Sequence, residues 1–441
     1  MVQLRSLFLL VVSLATCLYA RSSTGDSVLV VVEPNRQDDY SLFFDGLKEQ
    51  GYELTFRAPK AEGPLVIEHD VPNFAHVILL ASETKNFAKD ITPQSFVQLL
   101  GKKTNLIIAL SSKQTPMSSL AAEFSLTLPP PGTPLVSYFP EREESPQVIP
   151  VSVQANSIVS SNINPVWFSG VPHSIGNNPM IVPILRAPEE SFASETDGGS
   201  PDSLVDAAER GGEGLWAGSQ LSLVTGFQTL DNSRVTFVGG VNVFSDEFAQ
   251  KEISKGLPSG NAAFARDVAA WTFQETNVFR IESTTHHRVN ATEPPEQYTT
   301  NDRLVYNAYI SKYDSKTSTW VPYPEIRDLQ LEFTMLDPHV RTALLPVSSN
   351  PGKYSATFRV PDRHGVFKFV INYKRKGLTY LTSSMTVPVV PPRHDGYPRF
   401  LSAAWPYYTG AISTSIAFFL FSALWLAGDS REKKAKGHKA E

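Results

Sequence analysis

The sequence predicts an α/β domain built on a parallel sheet, then a β-sandwich, then one membrane-spanning helix. Three observations carry that reading. Short, wholly apolar runs alternate with amphipathic helical stretches up to Leu110. From Val278 onward the hydrophobic period changes from 3.6 to 2. Near the C-terminus, Phe400–Gly428 contains no charged residue. Continuous apolar strands separated by helices belong to parallel sheets covered on both faces. Alternation belongs to strands with one face in a core.

At the N-terminus, residues 1–20 read as a secretory signal peptide: Arg5, the apolar run Leu7–Val12, and a small residue, Ala20, at the cut. Its apolar run is too short to span a bilayer. Cleavage would remove Cys17, the only cysteine, leaving no disulfide, thiol nucleophile or zinc–thiolate site in the mature chain. Ser27–Glu33 (SVLVVVE) follows as a buried strand. Asp38–Gln50 is a helix with Leu42, Phe43 and Leu47 on one face, and Gly51 stands where a helix stops. Tyr52–Arg57, His76–Ala81 and Asn105–Leu110 are further strands, with a helix over Thr92–Leu100. Val235–Gly239 is a late strand and Ala262–Glu275 a closing helix around Trp271. Between them, Pro129–Pro140 is proline-rich. Ala187–Gly214 is acidic and rich in Ser and Gly, and is expected to be a mobile surface loop, with a helix over Ser203–Arg210 as the alternative. Residues 21–275 therefore form the α/β domain.

Residues 276–398 form the second domain. Leu304, Tyr306, Ala308 and Ile310 alternate with polar neighbours, as do Leu329–Met335, Tyr354–Phe358 and Phe367–Tyr373. Pro361–Gly365 is a turn between two of these runs. Strands and turns without helices fit an immunoglobulin-like sandwich. Residues 400–428 hold the membrane helix. Their apolar heart, Tyr408–Ala427, is about 20 residues or roughly 30 Å long, the thickness of the hydrocarbon layer. Trp405, Tyr407, Tyr408 and Trp425 lie at its edges as interfacial anchors. Within it, Gly410 with Thr414 and Ala411 with Ser415 are small pairs four apart, a stripe on which a neighbouring helix can dock. The tail, residues 429–441, carries five basic residues against three acids, so it is expected to stay cytosolic with the N-terminus across the membrane. Setting aside Arg5 and the tail leaves 33 basic and 41 acidic groups, a net of −8. That balance speaks against a nucleic-acid partner. Asn290-Ala291-Thr292 is the one N-x-S/T acceptor, on the side of the membrane where glycosylation occurs.

Candidate chemistry is sparse. A sheet of the flavodoxin or amidotransferase type keeps its active site at the carboxyl ends of the strands. There the chain has Ser111-Ser112-Lys113, not a G-x-S-x-G elbow, and Glu33-Pro34-Asn35-Arg36 replaces a glycine-rich phosphate loop. No D-x-D or H-E-x-x-H occurs. His286 and His287 are adjacent, so on a strand they face opposite ways and cannot share one ion; an interdomain polar contact is expected instead. Asp38-Asp39 opens a helix, where acids complement the dipole, and Glu189-Glu190 lies in the acidic loop. Tyr306, Tyr309, Tyr313, Trp320 and Tyr323 read as core rather than as a sugar platform.

Longer segments carry a resemblance. SLFFDGLKEQGYELTF (Ser41–Phe56), VTFVGGVNVFSDEF (Val235–Phe248), HHRV (His286–Val289), the stretch Glu325–Thr342, HGVFKFVINY (His364–Tyr373) and YPRFLSAAWPYY (Tyr397–Tyr408) resemble the 48-kDa-subunit family of oligosaccharyltransferase, the wheat-germ-agglutinin-binding-protein family. The resemblance runs in order from Ser27 to Ala427 and leaves out 187–214. It implies an amidotransferase-like sheet without its nucleophile, in a single-pass type I protein of the endoplasmic reticulum membrane. It implies a non-catalytic role in a complex that transfers a preassembled glycan from dolichyl diphosphate to Asn in N-x-S/T. The implied partners are a catalytic multi-span subunit, which holds the divalent metal, a ribophorin-type subunit, a small multi-span subunit and the lipid-linked oligosaccharide. No cofactor is expected in this chain. One departure is the tail, His438-Lys439-Ala440-Glu441, which has one lysine of the family's dilysine retrieval signal. The alternative reading is an independent lumenal carbohydrate-binding or adhesion receptor, suggested by the sandwich.

Overall fold

A computed structural model describes residues 21–194, 214–396 and 401–436, with the isolated positions 202, 205, 209 and 212. The signal segment and most of the acidic stretch lie outside the described residues. Where the flanks of that stretch are described they are not loop, since Phe192–Ser194 pairs with Leu215–Ala217.

The first domain is built on one nine-stranded sheet, with four two-stranded ribbons beside it. Its strands are β1 (Ser27–Val31), β2 (Glu53–Arg57), β3 (His76–Leu79), β4 (Asn105–Ala109), β5 (Leu126–Thr127), β6 (His173–Ile175), β7 (Ile181–Arg186), β8 (Leu221–Gln228) and β9 (Arg234–Val238). They run β2-β1-β3-β4-β9-β8-β6-β5, with β7 also on β8. From β2 to β9 every pairing is parallel. Beyond β9 the pairings are antiparallel, so the sheet is mixed rather than purely parallel. The antiparallel half comes from residues 126–228, where periodicity is silent for a physical reason. β5 and β6 are only two and three residues long, and β8 is buried throughout yet carries Ser222, Thr225 and Gln228. These polar side chains are tolerated because hydrogen bonds satisfy them.

Helices cover both faces. Val28 and Val30 pack toward α1 (Ser41–Glu49) and, near the end of the domain, the helix Asn261–Thr272. Leu29 and Val31 pack toward α2 (Pro93–Gly101) and α3 (Pro116–Glu123). The predicted helix from Asp38 begins at Ser41, after a 3-10 turn over Pro34–Tyr40. Asp246, which opens α4 (Asp246–Gln250), caps α1 from outside: its carboxylate accepts from the Ser41 amide and hydroxyl and from the Leu42 amide, an anion at a helix N-terminus. Gly51 ends α1 at φ +91°, a conformation open to glycine. The closing helix, α5, is Asn261–Thr272, with Trp271 fully buried.

The second domain stacks two five-stranded sheets on one apolar cluster. One sheet holds β10 (Phe279–Arg288), β12 (Arg303–Asp314), β13 (Thr319–Pro322), β16 (Leu345–Pro346) and β17 (Lys353–Arg359). The other holds β11 (Tyr298–Thr299), β14 (Gln330–Thr334), β15 (Pro338–Ala343), β18 (Gly365–Tyr373) and β19 (Leu381–Val390). Leu304, Tyr306, Phe333, Phe367 and Phe369 fill the space between them, as the alternation predicts. β11 pairs parallel with β19, where the other ladders of the domain are antiparallel. A final helix, α6 (Trp405–Lys436), follows.

The two domains are joined through Arg234. Its side chain is fully buried, and no carboxylate is among its partners. Nη1 donates to the carbonyls of Trp271 (2.6 Å) and Thr276 (2.9 Å), Nη2 to that of Asn277 (3.0 Å) and to Thr379 Oγ1 (3.3 Å), and Nε to Gln228 Oε1 (3.1 Å). The guanidinium also lies 4.8 Å from the Trp271 ring centroid. Around it, the turn between β18 and β19 is pinned: Trp271 Nε1 donates to Gly377 O, Gln228 Nε2 to Leu378 O, and Tyr380 N to Asn232 Oδ1. The chain start is pinned too. Ser22 Oγ donates to Phe273 O, and Tyr313 of the sandwich donates to Ser22 O. Burial lowers the Arg234 pKa to about 9, partly offset by the Tyr380 hydroxyl.

Replacing Arg234 with Leu removes a donor from the buried Trp271 carbonyl, from the half-buried carbonyls of Thr276 and Asn277, and from the buried Gln228 side chain. A loss of about 2–4 kcal/mol in the unfolding free energy of the full chain in detergent is expected. Arg234→Lys, lacking the planar fork, should recover only part of it. A loss below about 1 kcal/mol for the Leu variant would remove Arg234 from the centre of the junction.

Candidate functional site

The parallel half of the sheet has a switch point. β1 sends the chain to β2 on one side and to β3 on the other, and the carboxyl ends of β1 and β3 open into a crevice of about 390 Å³. Open α/β sheets bind ligands at this place. Glu33, Arg36, Lys60, Ser82 and Thr84 line it. Thr84 Oγ1 donates to Glu33 Oε1 at 3.0 Å, and Arg36 is turned to Asp39 at 3.4 Å. A second trough, about 430 Å³, lies beyond the end of β4 against Ser112, Lys113, Ser118 and Trp216. An ion pair between Lys113 and Glu83 (2.5 Å) joins the two.

Ser111 Oγ, just beyond the end of β4, accepts from the backbone amide of Lys113. Among the described residues, neither crevice is lined by histidine, and no group of three or more His, Cys, Asp or Glu is gathered as a metal cage. The edge can hold a polar ligand by hydrogen bonds and cations; it shows no base poised on a nucleophile. A further cleft of about 340 Å³ between α1 and α5 is floored by Phe43, Leu47 and Phe244, with Arg21 and Arg266 at its rim.

The buried histidines serve packing. His76 is enclosed at the amino end of β3, stacked 4.3 Å from the Phe273 ring, and burial pushes its pKa down to about 4. His173 lies 2.6 Å from Thr225 Oγ1, which spends its own proton on Ser222, so His173 Nε2 is the donor and the ring is neutral. Burial lowers its pKa to about 3. His286 does not make the expected interdomain contact. It points into the sandwich, 2.9 Å from the Tyr298 hydroxyl and stacked on Phe369, because a residue in the middle of a strand faces either its own core or solvent. His287 faces the other way, toward Arg288 O. Of the five aromatic residues read as core, Tyr306 and Tyr313 are buried; Trp320 instead packs under Arg280, whose guanidinium is 4.0 Å from the ring centroid. Asn290 is exposed in the turn after β10.

Residues 19–275 match the family model for the OST48 N-terminal domain, and residues 286–429 match that for the OST48 middle domain. The chain belongs to the OST48 family. Its relatives include the dolichyl-diphosphooligosaccharide–protein glycosyltransferase 48 kDa subunit of Danio rerio, 30% identical over 96% of this chain and 97% of that one. The subunit of the same name from Caenorhabditis elegans is 30% identical over 92% of each chain, and that of Drosophila melanogaster 27% over 96% and 95%. Among solved structures, a ThuA-like protein from Parabacteroides merdae covers 57% of this chain and 89% of its own, at 11% identity and a TM-score of 0.28.

Ser402–Ala427 is long and apolar enough to cross a membrane, with mean hydropathy 1.8 and none of it buried. The small stripe is exposed on this helix, and a side chain added at Gly410 would meet open space. The stripe's hydroxyls, however, bond within their own helix. Thr414 Oγ1 donates to Gly410 O and Ala411 O, and Ser415 Oγ to Ala411 O, at 2.8–3.0 Å. The stripe is smooth rather than adhesive.

The buried His76 and His173 make one contribution to the pH behaviour of the chain. Unfolded, each titrates near 6.5; folded, near 4 and 3. Below pH 6.5 the unfolded chain binds more protons, so their contribution is complete above that pH and is lost as pH falls toward 4. Each adds a slope of at most about 1.4 kcal/mol per pH unit. The melting midpoint of the full chain should fall between pH 7 and pH 4.5, and His76→Gln with His173→Gln should flatten that decline. An unaltered slope in the double variant contradicts the assignment.

Proposed function

We propose that this chain is a non-catalytic, scaffolding subunit of an oligosaccharyltransferase in the endoplasmic reticulum membrane. It is single-pass, with the ectodomain lumenal and the basic tail cytosolic. Its partners are the catalytic multi-span subunit, which carries the divalent metal, the ribophorin-type subunit and the small multi-span subunit. The observation that carries the reading is likeness over nearly the whole chain to proteins named as the 48 kDa subunit of this transferase. The carboxyl edge supports it: Ser111 and Lys113 stand where a nucleophile would, and both are engaged in structural bonds.

Between scaffolding and presenting the lipid-linked oligosaccharide, geometry favours scaffolding. The sandwich attaches at the amino ends of the parallel strands, near Asn105 and Arg234. Both crevices open at the carboxyl ends, away from the sandwich and its membrane tether. The exposed helix stripe and the broad ectodomain surface are what remain for partners.

Depletion of the chain should lower occupancy of N-x-S/T sites across many secreted glycoproteins, read by mass spectrometry of their tryptic glycopeptides. Unchanged occupancy after complete loss, with no homologue substituting, refutes the assignment. A second test concerns the stripe, where replacing Gly410, Ala411, Thr414 and Ser415 together with Leu keeps the segment apolar but bulky. Recovery of the multi-span and ribophorin-type subunits with the tagged chain should drop several-fold. Wild-type recovery leaves the helix an anchor only.

A further inference from the structure

The sandwich has two ends, and strand register says what lies at each. At one end, the turn between Tyr373 and Leu381 is buried against the α/β domain through Gly377, Leu378 and Tyr380. β18 reaches that junction with its last residue, Tyr373, and its nine residues span about 30 Å. At its far end Gly365 lies opposite Val389, one residue before β19 ends and the chain leaves for the membrane helix. About 12 residues separate Val390 from Ser402, so even fully extended the tether spans no more than about 40 Å. The far end is therefore the end from which the chain leaves for the membrane helix.

An apolar tip stands there. β14 and β15 are joined by a three-residue turn, Met335-Leu336-Asp337, closed by the Met335 amide on Asp337 O. The turn abuts Gly365: a side chain built at Gly365 would come within 2.8 Å of Met335 Sδ. Leu336 is 93% exposed, more than any other large hydrophobic side chain among the described residues. Beside it, Val366 is 57% exposed and lies in register with exposed Pro388. Exposed Arg363 and His364, in the neighbouring turn, and Arg393, on the tether, surround the apolar tip with polar groups. A bare leucine at the apex of a tight hairpin, backed by valine and proline and rimmed by charges of both signs (Arg363 and Arg393, Asp337 and Asp362), suits a headgroup boundary better than bulk water.

We infer that this end of the sandwich rests on the lipid bilayer, with Leu336 inserted at the headgroup boundary and Val366 and Pro388 against it. The ectodomain is then held at two points, the spanning helix and the Leu336 tip, and its tilt over the membrane is set. The occupant is lipid because the tip shares its end of the domain with the segment that enters the membrane. The inference rests on that helix being a span, which reconstitution reports separately.

The mature chain is expected to lack cysteine, so single probes add no background from this chain, and the complex carrying the cysteine-free chain serves as the labelling blank. Leu336→Cys, Val366→Cys and, at the junction end, Lys316→Cys are labelled with an environment-sensitive fluorophore in the full chain, within its complex in nanodiscs. Labels at 336 and 366 should emit to the blue. They should lose roughly half their intensity with headgroup-proximal spin-labelled lipids, as a group about 5–10 Å into the boundary would. Lys316→Cys should respond to neither. Adding Leu336→Asp should abolish the quenching at 366 without altering the melting midpoint, since Leu336 supports no core. Water-exposed emission at 336 and 366 overturns the inference. So does emission that is shielded but unquenched by lipid, which assigns the tip to another protein. Failure of the chain to enter nanodiscs would instead refute the spanning helix.

Discussion

A buried guanidinium with no carboxylate partner holds this molecule together. Moving a cation out of water is expensive unless its donors are met in full. At Arg234 they are met by carbonyl, amide and hydroxyl oxygens drawn from both domains. One of the carbonyls, that of Trp271, lies in the last turn of α5, where the helix dipole is negative and offsets the charge. The planar fork suits this ring of acceptors in a way an ammonium could not. Because the acceptors belong to β8, α5, the segment after α5 and the β18–β19 turn, none of these elements can shift alone.

That junction also divides the α/β domain by edge. At the amino ends of the strands, Asn105, His76, Gln274 and Arg234 are consumed by contacts with the chain start and the sandwich. At the carboxyl ends the crevices stay open, lined by lysine, arginine, glutamate and hydroxyl groups. A fold whose relatives in architecture place chemistry at the carboxyl edge here puts its strongest interactions at the other one. An interface that joins domains needs rigidity and satisfied polar groups, and those are what the amino edge has.

Much of this was legible in the residues. Wholly apolar runs as short as Val28–Val31 and Leu106–Ala109, separated by helical stretches, fit strands buried on both sides, and the alternation from Leu304 to Ile371 fits a sandwich. The antiparallel half of the sheet was not legible, because β5 and β6 are too short to show a period and β8 hides polar side chains inside the core. α3 was missed since three buried positions in eight residues make no pattern. Arg234 precedes the predicted strand Val235–Gly239 and carries no local signal; its burial depends on carbonyls 37–43 residues and a hydroxyl 145 residues distant, which no local window holds. The small stripe was visible, but the hydroxyls' preference for their own helix was not, since it depends on rotamers.

Ser22 and Ser23 are made before anything they bind. Their partners are the carbonyls of Phe273 and Gln274 and the hydroxyl of Tyr313, which is 291 residues later in the chain. At translation speeds of about 5–20 residues per second, the N-terminal segment waits on the order of 15–60 s for its binding site to exist. β4 likewise waits for β9, the neighbour that completes the middle of the sheet. The α/β domain therefore cannot finish folding as a self-contained first unit and then hand over to the sandwich. Its last contacts form only after the sandwich strand β12 has been synthesised, so during biogenesis the half-built sheet, with its bare apolar edge at β4, is the species the cell must shelter.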